Sequence, residues 1–168
     1  MWQTSSEAVD DLLRQVGHHF PYQGRVHDIC CGVGSLLAHL QRRRPRLRIS
    51  GNDLAMDGPI GDARYLGAEV FKNITAVVTN PPFAKGLLEP ILDQLEENWH
   101  ANDCKFSIYI LISSEKLPYI INQQRSWAMR CNVLYPGRYN YIPVALKKQH
   151  RLLNTSTAPF DSVWVEIK

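Results

Sequence analysis

Arg25-Val26-His27-Asp28-Ile29-Cys30-Cys31-Gly32-Val33-Gly34-Ser35 is the stretch on which the reading of the fold turns. Arg25 to Ile29 reads as a buried strand, and a helix is predicted from Ser35 to about Arg43. Gly32 and Gly34 lie between them, where the backbone must bend sharply and can approach a ligand closely. Helices that start after such turns often cradle ligands at the carboxyl ends of parallel strands. Outward from this unit the pattern alternates. Ser6 to about Phe20 reads as a helix capped by Ser5 or Ser6, with Ala8, Val9, Leu12, Leu13 and Val16 as its apolar stripe. Strands are predicted at Leu47 to Ser50, Glu69 to Phe71, Thr75 to Thr79 and Phe106 to Ile112. Helices are predicted from Leu87 to about Trp99 and from Glu115 to about Met129. Cys131 to Tyr135, Tyr141 to Leu146 and Val163 to Ile167 read as strands with no helices between them; Pro143 puts the middle one at an edge. The expected fold is α/β: a single Rossmann-like, doubly wound, mostly parallel sheet with an antiparallel C-terminal edge, formed by one domain over residues 1–168.

The chain has 168 residues, 45% of them hydrophobic and 21% charged, which fits one domain with a sizeable core. No apolar run approaches the roughly 20 residues of a membrane span. The N-terminus lacks a basic segment followed by an apolar stretch, so no signal peptide is expected. Cys30, Cys31, Cys104 and Cys131 form no C-x-x-C pair, and two are adjacent, which suits reduced thiols in a cytoplasmic protein. His18, His19, His27, His39, His100 and His150 have no metal-like spacing with acids or cysteines; no metal is expected.

The net charge of +3 is unevenly spread. Residues 1–104 hold 10 basic against 13 acidic side chains, and residues 105–168 hold 9 against 3. Leu117 to Phe160 has no acidic residue, and carries Arg125, Arg130, Arg138, Lys147, Lys148 and Arg151 among Tyr119, Trp127, Tyr135, Tyr139 and Tyr141. Cations interleaved with aromatics suit a phosphate backbone and stacked bases; the competing reading is a solvated basic face with aromatics in the core. The run Arg42-Arg43-Arg44-Pro45-Arg46 reads as a solvated helix end, where cations are favoured.

Asn80-Pro81-Pro82-Phe83 follows the apolar run Ile74 to Thr79. A strand ending in two prolines gives a rigid turn without N–H donors. It presents the Asn80 side-chain oxygen and neighbouring carbonyls as acceptors, with a flat ring at Phe83. That equipment fits a planar group bearing an NH₂, such as adenine; the competing reading is a plain surface turn. Asp28 stands before the glycines, where it can meet a cationic or amino group. Asp53 lies at the tip of the next strand, where an acid can accept both hydroxyls of a ribose. A dinucleotide fingerprint would need a third glycine, and position 37 is Leu, which disfavours NAD. Asp62, in Gly61-Asp62-Ala63-Arg64, reads as an adenine-amino acceptor or as a turn or capping residue. Lys85-Gly86 reads as a flap over the target or as a simple loop.

Together these residues resemble a class I S-adenosylmethionine-dependent methyltransferase of the amino-methylating type, over residues 2 to about 135. Asp28 to Gly34 is similar to the family's glycine-rich cofactor motif, and Asn80 to Phe83 to its catalytic Asn/Asp-Pro-Pro-aromatic motif. The segment Gln3 to Val9 resembles a Thr-Pro-containing segment that closes the cofactor pocket in DNA adenine methyltransferases, with Ser5 in place of the proline. The resemblance implies S-adenosyl-L-methionine as cofactor, held by Thr4, Asp28, Cys30, Gly32, Gly34, Asp53, Asp62 and Ala63. It implies Asn80, Pro81, Pro82 and Phe83 as the catalytic set. Asp53 and Asp62 are only nine positions apart, so the third strand or its preceding helix must be short or displaced. No separate target-recognition domain is expected, as in the small adenine methyltransferases of phages and mobile elements. The implied activity is methylation of adenine N6, with DNA as partner in preference to RNA and no membrane. RNA adenine methylation, protein glutamine N5-methylation and an inactive methyltransferase-fold binding subunit are the alternatives.

Overall fold

The computed structural model describes residues 2–54, 61–139, 142–143 and 161–168. Its elements in chain order are β1 (Trp2–Gln3), α1 (Ser6–Val16), β2 (Gly24–Asp28), α2 (Ser35–Arg43), β3 (Leu47–Gly51), β4 (Ala76–Thr79), α3 (Leu88–Ala101), β5 (Ser107–Ser113), α4 (Leu117–Ile121), β6 (Cys131–Val133), β7 (Ile142–Pro143) and β8 (Ser162–Ile167). Six strands form one sheet in the order β3-β2-β4-β5-β8-β6. The first four are parallel, and β8 pairs antiparallel with both β5 and β6. This is the mostly parallel α/β sheet with an antiparallel C-terminal edge that the strand–helix alternation predicts.

Burial explains the pattern of each strand. β4 and β5 lie in the middle of the sheet, covered on both faces, so they read as nearly continuous apolar runs. Side chains still alternate. Ile108, Ile110, Ile112, Val163, Val165 and Ile167 meet Ile91, Leu92, Leu95 and Trp99 of α3 on one face. Tyr109, Leu111 and Trp164 join Ala8, Val9 and Leu12 of α1 and Leu36, Leu37 and Leu40 of α2 on the other. The buried Trp164 indole donates to the Ala8 carbonyl at 2.9 Å, locking α1 to the sheet. Ser5 caps α1, accepting from the Ala8 N–H.

Four expectations need correction. Glu69 to Phe71 is no strand but part of a 3₁₀ turn over Ala68–Phe71. Phe71 stacks on Phe106 instead, and buried Asn98 of α3 ties the preceding Leu66 carbonyl at 2.8 Å, so the segment packs beneath α3. The first helix ends at Val16, because Gly17 adopts φ +61 and starts a 3₁₀ turn. The helix expected from Glu115 to Met129 is reduced to α4 with short 3₁₀ turns on either side. Asn122 breaks it by accepting the Gln124 N–H in a local turn, while Arg125 takes the Tyr119 carbonyl and Trp127 turns into the core. The first strand at the C-terminal end is also shorter, with Cys131–Val133 in place of Cys131 to Tyr135. From the expected strand Tyr141 to Leu146, Ile142–Pro143 pairs with β1 in a separate two-stranded ribbon; its other residues lie outside the described ones.

Candidate active site

The carboxyl ends of β2, β3 and β4 open into a cavity of about 560 Å³, within the about 300–1,000 Å³ usual for small-molecule sites. Its floor is built by mutual bracing of two strand ends. The Asn52 N–H donates to the Asp28 carbonyl at 2.9 Å, and the Cys31 N–H to the Asn52 carbonyl at 2.8 Å. Gly32 and Gly34 both take positive φ, +54 and +80, as the turn into α2 requires. Gly51, which the sequence reading passed over, is equally constrained: a Cβ there would lie 2.7 Å from the Cys31 Cβ.

Asp28 and Asp53 are both buried in this floor. Asp53 Oδ2 accepts from the Gly32 N–H at 2.8 Å, which fixes the acid against the glycine turn. Burial pushes the Asp28 carboxyl up to about 7, against the opposing pull of the Cys30 N–H that donates to its Oδ1 at 3.0 Å. Burial also drives the Cys30 thiol well above its ordinary range and the Cys31 thiol to about 11, so both are protonated at neutral pH. Asp62 caps its own 3₁₀ turn by accepting the Arg64 N–H at 3.0 Å. The Arg64 guanidinium binds the same carboxylate and holds it below the usual range. The capping reading of Asp62 is therefore realised, and Asp62 and Ala63 also line the cavity.

Asn80, Pro81, Pro82 and Phe83 line the same cavity. The Asn80 amide is anchored from far along the chain: its Nδ2 donates to Thr4 Oγ1 at 3.1 Å. Gln3 begins the segment expected to close the cofactor pocket, but it is not among the expected cofactor contacts. It lines the cavity at 8% exposure, its Oε1 accepts from Ser35 Oγ at 2.9 Å, and its buried Nε2 has no hydrogen-bond partner among the described residues. Of the expected site residues, Thr4, Asp28, Cys30, Gly32, Asp53, Asp62, Ala63 and Asn80 to Phe83 all border one space. Gly34 does not border it, and acts as the left-handed residue that starts α2.

The basic, aromatic stretch is less available than its composition suggests. Arg125 is largely buried and ion-paired with Asp93 and Glu96, and Arg138 pairs with Asp161. Arg130 lies over the Trp99 ring. Trp127 is in the core, and buried Tyr139 donates to Asp11. Tyr135 is exposed and Tyr119 partly so, while Tyr141, Lys147, Lys148 and Arg151 lie outside the described residues. The Arg42 to Arg46 run does lie at the end of α2, with Arg43 paired to Asp10 and Arg44 over the Tyr22 ring. Among the described residues, no cluster of three His, Cys, Asp or Glu side chains could hold a metal, and no helix is long and apolar enough to cross a membrane.

No family model and no curated protein matches the sequence. Solved structures do match by fold. A Pyrococcus horikoshii protein assigned as an RNA methyltransferase superposes with a TM-score of 0.59 at 14% identity, over 100% of this chain and 86% of that one. A dimethyladenosine transferase from Plasmodium falciparum gives 0.52 at 14% identity, over 98% of this chain and 61% of that one. A Listeria monocytogenes protein assigned as a class I S-adenosylmethionine-dependent methyltransferase gives 0.52 at 11% identity, over 99% and 60%. The chain therefore has the Rossmann-like fold of class I methyltransferases.

Proposed function

We propose that this chain is an S-adenosylmethionine-dependent methyltransferase acting on the exocyclic N6 amine of adenine in DNA. The observation that carries the reading is the position of Asn80-Pro81-Pro82-Phe83 at the end of β4, lining one cavity together with Asp28 and Asp53. The donor set fits the cofactor. Asp53 offers acceptors for ribose hydroxyls, Asp28 an acid for the ammonium group, and Gln3 Nε2 a buried donor for the carboxylate. Asp62 can accept from the adenine amino group once Arg64 gives up one of the four contacts that it makes to the carboxylate, which has about four acceptor sites. Cys30, Gly32 and Ala63 present backbone and small side chains to the same space. Once bound, the cofactor supplies an electrophilic methyl on a sulfonium.

The chain's part is to aim the nucleophile. An exocyclic aromatic amine is a poor nucleophile because its lone pair is delocalised into the ring. Asn80 Oδ1 and the Pro81 carbonyl each accept one N–H of that amine, favouring a tetrahedral nitrogen whose lone pair points at the methyl. Phe83 stacks on the base and sets its plane. Most of the rate gain comes from holding the two reactants in a near-attack geometry. In duplex DNA the adenine must first leave the stack. The whole reaction is assigned to this one catalytic domain.

The test is methyl transfer from labelled S-adenosylmethionine to unmethylated DNA, RNA and a protein extract, beside Asn80→Ala, with the modified product identified by mass spectrometry. N6-methyladenine in DNA that falls by about 100-fold or more in the variant is the expected result. Methylated adenine in RNA or N5-methylglutamine would keep the chemistry and replace the substrate. Cofactor binding without transfer to any of the three would leave an inactive binding subunit.

A further inference from the structure

Thr4 is buried at 6% exposure, and its hydroxyl is the hydrogen-bond partner of the Asn80 amide nitrogen at 3.1 Å. We propose that Thr4 is a positioning residue for Asn80: it acts on the target side of the reaction, by holding the catalytic amide, rather than as a cofactor ligand. The inference rests on the methyltransferase reading.

An asparagine side chain presents an acceptor and two donors on one plane, and its outermost torsion is broad. Only the acceptor is useful against a target N–H. With Nδ2 committed to Thr4 Oγ1, the carbonyl oxygen is the atom left to the cavity. The anchor can do this because Thr4 is itself held from both sides. On its N-terminal side Gln3 is paired with Ile142 in the β1–β7 ribbon, and its side chain is bound to Ser35 Oγ. On its C-terminal side Ser5 is the N-cap of α1. A rigid support outside the Asn80 turn thus fixes a group whose own turn, Pro81-Pro82, offers no N–H to hold it.

The two roles for Thr4 predict opposite kinetics. Thr4→Val removes the hydroxyl and keeps the shape. As a positioning residue, its loss lowers kcat by about 10- to 100-fold while the Kd for S-adenosylhomocysteine, measured by calorimetry, stays within about twofold. Thr4→Ser, which restores the hydroxyl, recovers most of kcat. A weakened Kd with unchanged kcat at saturation would make Thr4 a cofactor contact and overturn the proposal, as would no change in either. A second readout needs no turnover. In ¹⁵N-labelled full chain, the Asn80 side-chain NH₂ pair, identified by its absence in Asn80→Asp, is expected to shift in Thr4→Val and return toward its place in Thr4→Ser. An unmoved pair overturns the proposal. A moved pair in a wild-type chain that transfers no methyl group would instead sink the methyltransferase reading and leave the anchoring of Asn80 standing.

Discussion

Two walls of the cavity reach the same space by different routes. One is made by the carboxyl ends of β2, β3 and β4, where each site residue lies at the last position of its strand or within two residues after it: Asp28, Asp53, Asn80. The other is the short segment Gln3-Thr4, brought in by pairing between β1 and β7, which lie at opposite ends of the chain. The first wall is a product of local geometry. A parallel strand must end, turn and cross over, and its end faces the crevice. The second wall depends on contacts that close only when the whole chain has folded. The first wall carries acids and acceptors. The second carries an amide whose donor has no partner among the described residues and a hydroxyl that binds the Asn80 side chain. The comparison teaches that ligand chemistry is divided: the parallel sheet supplies acceptors, and the N-terminal segment supplies the complementary donor and the clamp.

The largest effect is expected on the first wall. Asp53→Ala removes the carboxylate proposed to face the ribose and leaves the Gly32 N–H without its acceptor. Affinity for S-adenosylhomocysteine should fall by about 100-fold, as two hydrogen bonds to a charged group are lost. Calorimetry checks it, and unchanged affinity would remove Asp53 from the binding wall and break the division just described.

A smaller effect sharpens the second wall. Gln3→Leu keeps the bulk and removes a buried donor that has no partner among the described residues. The loss of the Ser35 bond and the relief of that orphan donor offset each other, so thermal stability should change little. Affinity for S-adenosylhomocysteine should fall by about tenfold, because a donor to a carboxylate is gone. The same substitution should leave binding of a decarboxylated analogue unchanged. An equal loss for both ligands would move Gln3 away from the carboxylate.

How far the sequence could be read follows the same division. Asp28 to Gly34 and Asn80 to Phe83 are legible because strand, turn and side chain lie within a few residues. Gly51 was missed because its constraint is Cys31, on a neighbouring strand end. The segment starting at Gln3 is legible by resemblance, but the role of the Gln3 side chain is not, because neither its burial nor its pairing with Ile142 leaves a local signal. Glu69 to Phe71 has strand-forming residues, yet Phe71 is worth more against Phe106 and α3 than in a ladder. The basic stretch is legible only in part, for a related reason. Its charge excess was counted along the chain, whereas Arg125 is neutralised across space by Asp93 and Glu96 of the acidic half. Trp127 and Tyr139, taken as stacking surfaces, are core residues.

The smallest expected effect is a pH dependence within the first wall. The Asp28 carboxyl is raised by burial to about 7, from an ordinary value of 3.8. Between these values the folded chain holds a proton that the unfolded chain has lost. Asp28 therefore favours the folded state most below pH 4, and this contribution is lost as pH rises through 7. Asp28→Asn keeps an oxygen for the Cys30 N–H and has no charge to bury. The difference in Tm, variant minus wild type, should grow as pH is raised from 5 to 8, with contributions from other titrating groups cancelling. Ligand binding should run the other way. A cationic ligand prefers ionised Asp28, so wild-type affinity for S-adenosylmethionine should rise over the same interval and that of Asp28→Asn should not. A flat Tm difference would show that Asp28 stays ionised in the folded chain. A rising Tm difference with flat affinity would place the ligand's positive charge away from Asp28, and leave the acid as a structural member of the wall.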